Sequence, residues 1–314
     1  MRDVTSDTAE TVMAVLREIV GGAQFAEADV SMARYTTFRC GGRAKIFARP
    51  QAEEALLACI RALSEADFPY FLLGNGSNVI VRDGGFDGAV LSTVSALGGF
   101  DKDDSRGRVR IGAGEILGTA AKSAADAGLS GFEFGGGIPG TVGGAVYMNA
   151  GAYGDDISGI LREVRAWHVL DDKCYTLTNA DCDFGYRNSL FQREPFVILD
   201  ADFELSRSEP SSVRGRMNEL AKKRAEKQPL SEPSAGSYFK RPEGGYAGQL
   251  IEEAGLKGFA VGGAMVSAKH AGFLVNRGGA KTSDVLAVAA HVRDTVFKKT
   301  GILLETEPIV IGID

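Results

Sequence analysis

Residues 131–154 read GFEFGGGIPGTVGGAVYMNAGAYG, with glycine at 135, 136, 137, 140, 143, 144 and 151. Seven glycines in seventeen residues would suit a flexible linker, but linkers are polar and this stretch is apolar. Phe132, Phe134, Val146, Tyr147 and Met148 flank it, so backbone with little side-chain volume is set to pack directly against a flat or bulky ligand. Thr141 stands where a helix would begin, and the N–H groups after it are expected to face an anion. Gly135, Gly137 and Gly140 also satisfy G-x-G-x-x-G. Pro139 lies inside that pattern, however, no parallel strand leads in and no βαβ unit follows, so a Rossmann dinucleotide site is excluded.

Upstream, YFLLGNGSNVIVRDGGFDGAVL (70–91) places Gly74, Asn75, Gly76, Ser77 and Asn78 between two apolar, β-branched runs. The loop therefore joins strand to strand, and two uses stay open. It is a tight hairpin, as Asn-Gly often is, or a diphosphate cradle of close-approaching N–H groups with the Ser77 hydroxyl and the Asn75 and Asn78 amides as further donors. Around these loops, Val12, Val15, Leu16, Ile19 and Val20 predict an amphipathic helix. A short strand at Lys45–Ala48 and a second helix carrying Leu56, Cys59, Ile60 and Leu63 follow, ending near Phe68-Pro69. Short β runs then alternate with glycine turns to about Leu205, interrupted by a helix over 118–127. A basic, proline-flanked helix marks a boundary near Ser206. Beyond it a helix over 248–254, runs AMVSA and GFLVN, a helix over 284–298 capped by Thr282 or Ser283, and a closing strand PIVIG predict a compact α/β unit.

With 314 residues the chain needs no disulfide or metal to build its core. A net charge of −6 argues against nucleic acid as a partner. Cys40, Cys59, Cys174 and Cys182 form no C-x-x-C pair and His168, His270 and His291 are scattered, so no metal site is expected and the thiols read as free in a reducing compartment. The first twenty residues are acidic and amphipathic, and no apolar run reaches the roughly 18 residues of a membrane span. These features predict a soluble cytoplasmic protein without a membrane partner.

GNGSN, GGGIPGTVGGAVYMNAGAYG, FGYRNSLF, AGSYFKRP and GILLETEPIVIG occur in this order between about Tyr35 and Gly312. In these blocks the chain resembles the UDP-N-acetylenolpyruvoylglucosamine reductases, flavoenzymes of peptidoglycan precursor synthesis. The resemblance implies an α+β fold: an N-terminal helical segment over 1–30, an FAD-binding domain of the vanillyl-alcohol-oxidase (PCMH) type over 31–206 with two lobes split near residue 68, and a smaller C-terminal α/β substrate domain over 207–314. It implies noncovalent FAD, with Gly74, Asn75, Gly76, Ser77, Asn78, Gly136, Gly140, Thr141, Gly143, Gly144 and Ala145 around its pyrophosphate and the flavin ring toward the domain interface. NADPH is the implied reductant, a UDP-sugar enolpyruvyl ether the substrate, and the implied state a monomer.

Hydride delivery to an enolpyruvyl group builds negative charge on the adjacent carbon and carboxylate, which calls for a cation and a proton donor. By resemblance Arg187 pairs with that carboxylate, Ser237 donates the proton, and Glu307 sits near the reacting carbons. Taken singly, Arg187 would read as a surface ion pair and Ser237 as a turn residue. Glu305 and Glu307, two apart on an expected strand, share a face, and only the motif selects Glu307. Tyr186, Lys227, His270 and Asn276 are implied on the substrate side. Lys227 also fits a solvated helix face, and His270 a position at the core edge. Arg241 stands where many relatives have Asn, and the short spacing from Arg187 to Ser237 resembles the subclass lacking a tyrosine-bearing loop. An FAD-dependent sugar or alcohol oxidase of the same fold and a catalytically silent UDP-sugar-binding module are the alternatives.

Overall fold

The computed structural model describes residues 6–103 and 107–314, so the first five residues of the expected N-terminal segment lie outside it. The described chain opens with α1 (Ser6–Ile19), β1 (Ala26–Ser31), β2 (Arg43–Ala48), α2 (Glu53–Glu65), β3 (Tyr70–Leu73), β4 (Val79–Val81) and β5 (Phe86–Ser92). Val12, Leu16 and Val20 are buried as the helical spacing predicts, while Val15 faces out. Four strands form a sheet in the order β1-β2-β5-β3, with β1 antiparallel to β2, and β2 and β3 parallel to β5. Two features differ from expectation. The helical segment assigned to 1–30 includes a strand, β1, whose register with β2 makes it part of this sheet. The sheet also runs across residue 68, because α2 is the crossover that parallel strands require, and the Pro69 carbonyl accepts from Ala89 N at 2.8 Å. The change of sheet falls between Ser92 and Phe100.

The next elements are β6 (Phe100–Asp103), β7 (Arg108–Gly112), α3 (Leu117–Asp126), β8 (Leu129–Ser130), α4 (Val142–Tyr147), β9 (Gly151–Ala152), β10 (Asp155–Asp156), β11 (Leu161–His168), β12 (Lys173–Thr178), β13 (Phe196–Glu204), β14 (Ser206–Arg207) and α5 (Pro210–Lys227). An antiparallel sheet ordered β12-β11-β13-β7-β6 results. In α3 the buried face is Leu117, Ala120, Ala121, Ala124 and Ala125, and the four alanines let neighbouring backbone approach closely. Leu56 and Ile60 of α2 share one apolar cluster with Val164, Trp167 and Phe203 of this sheet, so the two sheets have a common core. Arg165 on β11 adds a polar tie, donating to both Glu53 carboxylate oxygens on α2 (2.7 and 2.6 Å) and to Asp200 on β13 (2.6 Å).

The C-terminal part comprises β15 (Ser234–Ser237), α6 (Ala247–Glu253), β16 (Ala260–Val261), β17 (Ala264–Val266), β18 (Phe273–Asn276), α7 (Thr282–Thr300) and β19 (Ile309–Ile311). Its sheet runs β15-β18-β17-β16, packed beneath Val285, Val288, Val292 and Val296 of α7. The expected cap of α7 by Thr282 or Ser283 is not what forms. Both are helical, and Asp83 from the turn between β4 and β5 accepts from Thr282 N (2.7 Å) and Ser283 N (2.9 Å). The Thr282 hydroxyl instead donates to Val81 O at 2.6 Å. At the other end, Gly301 takes a left-handed cap at φ 73°. β19 then pairs in parallel with β4, so the last residues return to the first part of the molecule. Among the described residues no helix is long and apolar enough to cross a membrane.

Candidate active site

A cavity of about 520 Å³ opens where the three sheets meet, within the usual size of a small-molecule site. Both glycine loops line it: Gly74, Asn75, Gly76, Ser77 and Asn78 on one side, and Gly140, Thr141, Gly143, Gly144 and Ala145 on another. The first loop is not a hairpin, since β3 pairs with β5 and β4 with β19. Gly76 adopts φ 62°, and a Cβ there would lie 2.1 Å from Tyr35 O, so only glycine fits. A Cβ on Gly74 would lie 2.5 Å from Thr141 Oγ1, and one on Gly143 2.9 Å from Ala113 Cβ. The asparagines do a different job from the one expected of them. Asn75 Nδ2 donates to Pro139 O (2.6 Å), tying the two loops together, and Asn78 Nδ2 donates to Glu307 O (3.3 Å), tying the first loop to the C-terminal segment.

The backbone donors also sort differently. Thr141 caps α4 by accepting Gly144 N at 3.2 Å. Val142 N and Gly143 N donate to Glu115 O and Ala113 O, and Ala145 N to Thr141 O. The N–H groups following Thr141 are therefore already engaged, contrary to the anion-facing role expected of them. The N–H groups of Asn75 to Asn78 have no acceptor among the described residues, which leaves the first loop as the richer donor set.

Arg187 projects from a tight loop after β12 and itself adopts φ 53°. The loop hangs from the C-terminal end of α4, where Ser189 Oγ and Gln192 Nε2 both donate to Tyr147 O at 2.7 and 2.8 Å. Buried Asn149 accepts from Ser158 N (2.9 Å) and donates to Gly185 O (3.0 Å), fixing the loop's start. So held, Arg187 Nε donates to Glu307 Oε1 at 2.8 Å, in a pair whose side chains are only 20% and 14% exposed. Burial pushes the Glu307 carboxyl above the usual glutamate range, and the adjoining Arg187 offsets that only in part. The Arg187 Nη atoms make only long contacts of 3.5 and 3.4 Å with the Asn149 and Gly151 carbonyls, leaving guanidinium hydrogens for a ligand. Ser237 lies on β15 in register with Phe273, and lines the same cavity. Glu305 is not an equal competitor for Glu307: it is 73% exposed beside Lys240 and outside the cavity. The segment holding both glutamates makes a single isolated bridge at Thr306 rather than a regular strand.

Other expected residues fall elsewhere. Gly136 lies in a single-turn helix (Glu133–Gly137) against Met217 and does not line the cavity. Lys227 is exposed at the end of α5, outside the lining. His270 Nδ1 accepts Gly272 N at 3.1 Å and its ring packs on Phe273, with burial lowering its pKa. Asn276 is buried and fully used, donating to Phe38 O and Arg39 O and accepting from Gly278 N and Ala280 N. Tyr186 is half-exposed at the rim, where its hydroxyl accepts Arg241 N (3.0 Å) and its ring contacts the Arg187 and Arg241 guanidinium groups. Two polar lining residues had gone unnoticed, Arg224 of α5 and Gln228 just past its end. Val213, Met217 and Leu220 mark the helix's inward stripe, and the same spacing reaches 224 and 228, so a polar pair on an apolar face was the available signal. Arg224 Nε and Gln228 Oε1 are buried without a partner among the described residues, and burial lowers the arginine's pKa.

A dinucleotide's pyrophosphate needs unpaired N–H donors on backbone it can approach closely, backed by a cation. The 74–78 loop supplies such donors, an arginine, Arg224, lines the same cavity, and Gly140, Gly143 and Gly144 contribute only backbone to its wall. The residues present thus fit a flavin dinucleotide. Residues 44–173 match the profile of an FAD binding domain, and residues 228–311 that of the C-terminal domain of UDP-N-acetylenolpyruvoylglucosamine reductase. The reductase of that name from Clostridium perfringens is 43% identical over 289 residues, covering 91% of this chain and 93% of the relative. The one from Clostridioides difficile is 40% identical over 286 residues with the same coverage. The crystal structure of the Thermus caldophilus reductase superposes with a TM-score of 0.76 at 34% identity, over 91% of this chain and 99% of that one. Similarity of this extent, in sequence and in fold, places the chain in the UDP-N-acetylenolpyruvoylglucosamine reductase family.

Proposed function

We infer that the protein takes two electrons from NADPH and reduces UDP-N-acetylglucosamine enolpyruvate to UDP-N-acetylmuramate, a step of peptidoglycan precursor synthesis. The observation that carries this is the convergence of the Arg187–Glu307 pair, Ser237 and both glycine loops on one cavity. FAD, once bound and reduced by NADPH, supplies the hydride that adds to the terminal methylene carbon of the enolpyruvyl ether. Arg187 receives the substrate carboxylate on its remaining guanidinium hydrogens and balances charge that grows as the double bond is reduced. Ser237 gives its hydroxyl proton to the adjacent carbon. Serine is a weak acid, so it acts only because the acceptor is a strongly basic carbanion held against it. Glu307 holds Arg187 in orientation and, lining the same cavity, is placed to hydrogen-bond the developing enolate. Ile138, Phe273 and Ile309 give the cavity an apolar wall. The sugar-nucleotide end would extend toward Tyr186 and the α5 terminus near Lys227, and we take the enzyme to work as a soluble cytoplasmic monomer.

Anaerobic stopped-flow tests this directly. NADPH is expected to bleach the flavin absorbance, and UDP-N-acetylglucosamine enolpyruvate to restore it without oxygen. Recolouring by oxygen at comparable speed, with no response to the UDP-sugar, would point to an oxidase.

A further inference from the structure

The cavity has two arginines, and their charges are in opposite circumstances. Arg187 is matched by Glu307 at 2.8 Å. Arg224 has no carboxylate within ion-pairing distance among the described residues, although it reaches the cavity from α5 with its stem against Gly137, where a Cβ would come within 2.8 Å of Arg224 Cδ. Among the described residues its Nε is buried without a hydrogen-bond partner, as is the Oε1 of Gln228, the residue that follows the last turn of the same helix. A desolvated guanidinium with no counter-ion is costly, and so is a buried acceptor with no donor. Both costs disappear if one ligand brings several anionic oxygens together with a neighbouring hydroxyl. Across the cavity, the N–H groups of Asn75 to Asn78 are short of acceptors too. Gly137 leaves room for the arginine stem, and Ile138 to Gly140 carry the wall from there toward Ser77.

We propose that Arg224 is the counter-ion of a pyrophosphate seated in this cavity, with Gln228 accepting from an adjacent sugar hydroxyl. The proposal rests on the flavin and UDP-sugar reading of the site, because both ligands carry a pyrophosphate beside a ribose or ribityl group. The two sources are separated by measuring each ligand alone. Deflavinated protein is titrated with FAD by flavin fluorescence, and FAD-saturated protein is assayed for the KM of UDP-N-acetylglucosamine enolpyruvate. Removing a charge-assisted, desolvated contact in Arg224→Gln should weaken one of these by roughly ten- to hundredfold. A higher FAD Kd with unchanged KM assigns the cofactor's pyrophosphate, and a higher KM with unchanged FAD affinity assigns the substrate's. Arg224→Lys keeps the charge without the planar fork and should lose less than Arg224→Gln. Wild-type binding should also weaken more steeply with salt than that of the neutral variant. Unchanged FAD affinity and KM in Arg224→Gln overturn the proposal. So does an equal loss in both variants that tracks a fall in melting temperature, because packing rather than charge would then be responsible. A wild-type protein that takes up no FAD and turns over no UDP-sugar instead overturns the functional reading beneath it.

Discussion

Replacing Gly74 by alanine places a Cβ 2.5 Å from Thr141 Oγ1 and 3.2 Å from its Cγ2. The local backbone is not left-handed at this position, so the cost is steric alone. Thr141 cannot rotate away without giving up Gly144 N, which it accepts at 3.2 Å to cap α4. The two glycine loops must therefore separate by roughly 1 Å to reach ordinary contact distance. Overpacking of this kind costs about 1–3 kcal/mol. Where the ligand needs both loops in place at once, that converts to roughly 5- to 150-fold in FAD affinity. Thr141→Ala alone loses the cap, about 1 kcal/mol. In the double variant the nearest remaining Thr141 atom is Cβ at 3.5 Å, which is normal contact, so alanine at 74 is relieved and the two changes couple favourably by about 1–2 kcal/mol. Fluorescence titration of the deflavinated variants measures the affinities, and thermal unfolding of the same samples separates strain on binding from strain on folding. FAD affinity in Gly74→Ala equal to wild type, or strictly additive losses in the double variant, would refute a cradle made by both loops.

Further expectations concern the chemistry and the joints of the fold. In Ser237→Ala, flavin reduction by NADPH should survive while product formation falls by roughly 10²-fold or more; equal loss of both half-reactions would give Ser237 a structural role instead. Burial leaves folded Glu307 protonated to a higher pH than in the unfolded chain. Its contribution to stability therefore falls as pH rises from the ordinary glutamate value through the raised one, and Glu307→Gln should flatten that slope. Denaturant melts across this range check it, and identical slopes for the two proteins would contradict it. Asp83→Ala should cost about 1–2 kcal/mol by uncapping α7. Burial raises the Asp83 carboxyl, but its bonds to Ser283 and Thr282 outweigh this and hold it below the usual range. The cap's contribution should thus be present at neutral pH and fade as pH drops through that lowered value. A wild-type-minus-variant difference unaffected by acid would be inconsistent with it.

The sequence displayed local chemistry well and long-range satisfaction poorly. The strand-to-strand position of Gly74 to Asn78, the helix start at Thr141 and the left-handed end at Gly301 follow from residue type at neighbouring positions. Each was readable, and each is present. The cap of α7 was not, because its acceptor, Asp83, lies about two hundred residues away. The amides of Asn75 and Asn78 looked like ligand donors, yet they bond Pro139 and Glu307 carbonyls that no short window could bring near. Choosing Glu307 over Glu305 needed the motif, since period-two alternation treats them alike; burial and Arg187 are what separate them. Arg224 was missed because a basic run on a helix ordinarily means solvent, and only the stripe continuing from Val213 and Leu220 turns that one arginine inward. Pairing of β19 with β4 likewise joins two short apolar runs that are unrelated in sequence.

The claim on which all of this depends is that the cavity between the two glycine loops holds a flavin, and the visible absorption spectrum of the purified protein tests it most directly. The expected result is a yellow protein with flavin bands, releasing about one FAD per chain on acid treatment. A colourless protein that also fails to take up added FAD would contradict the account.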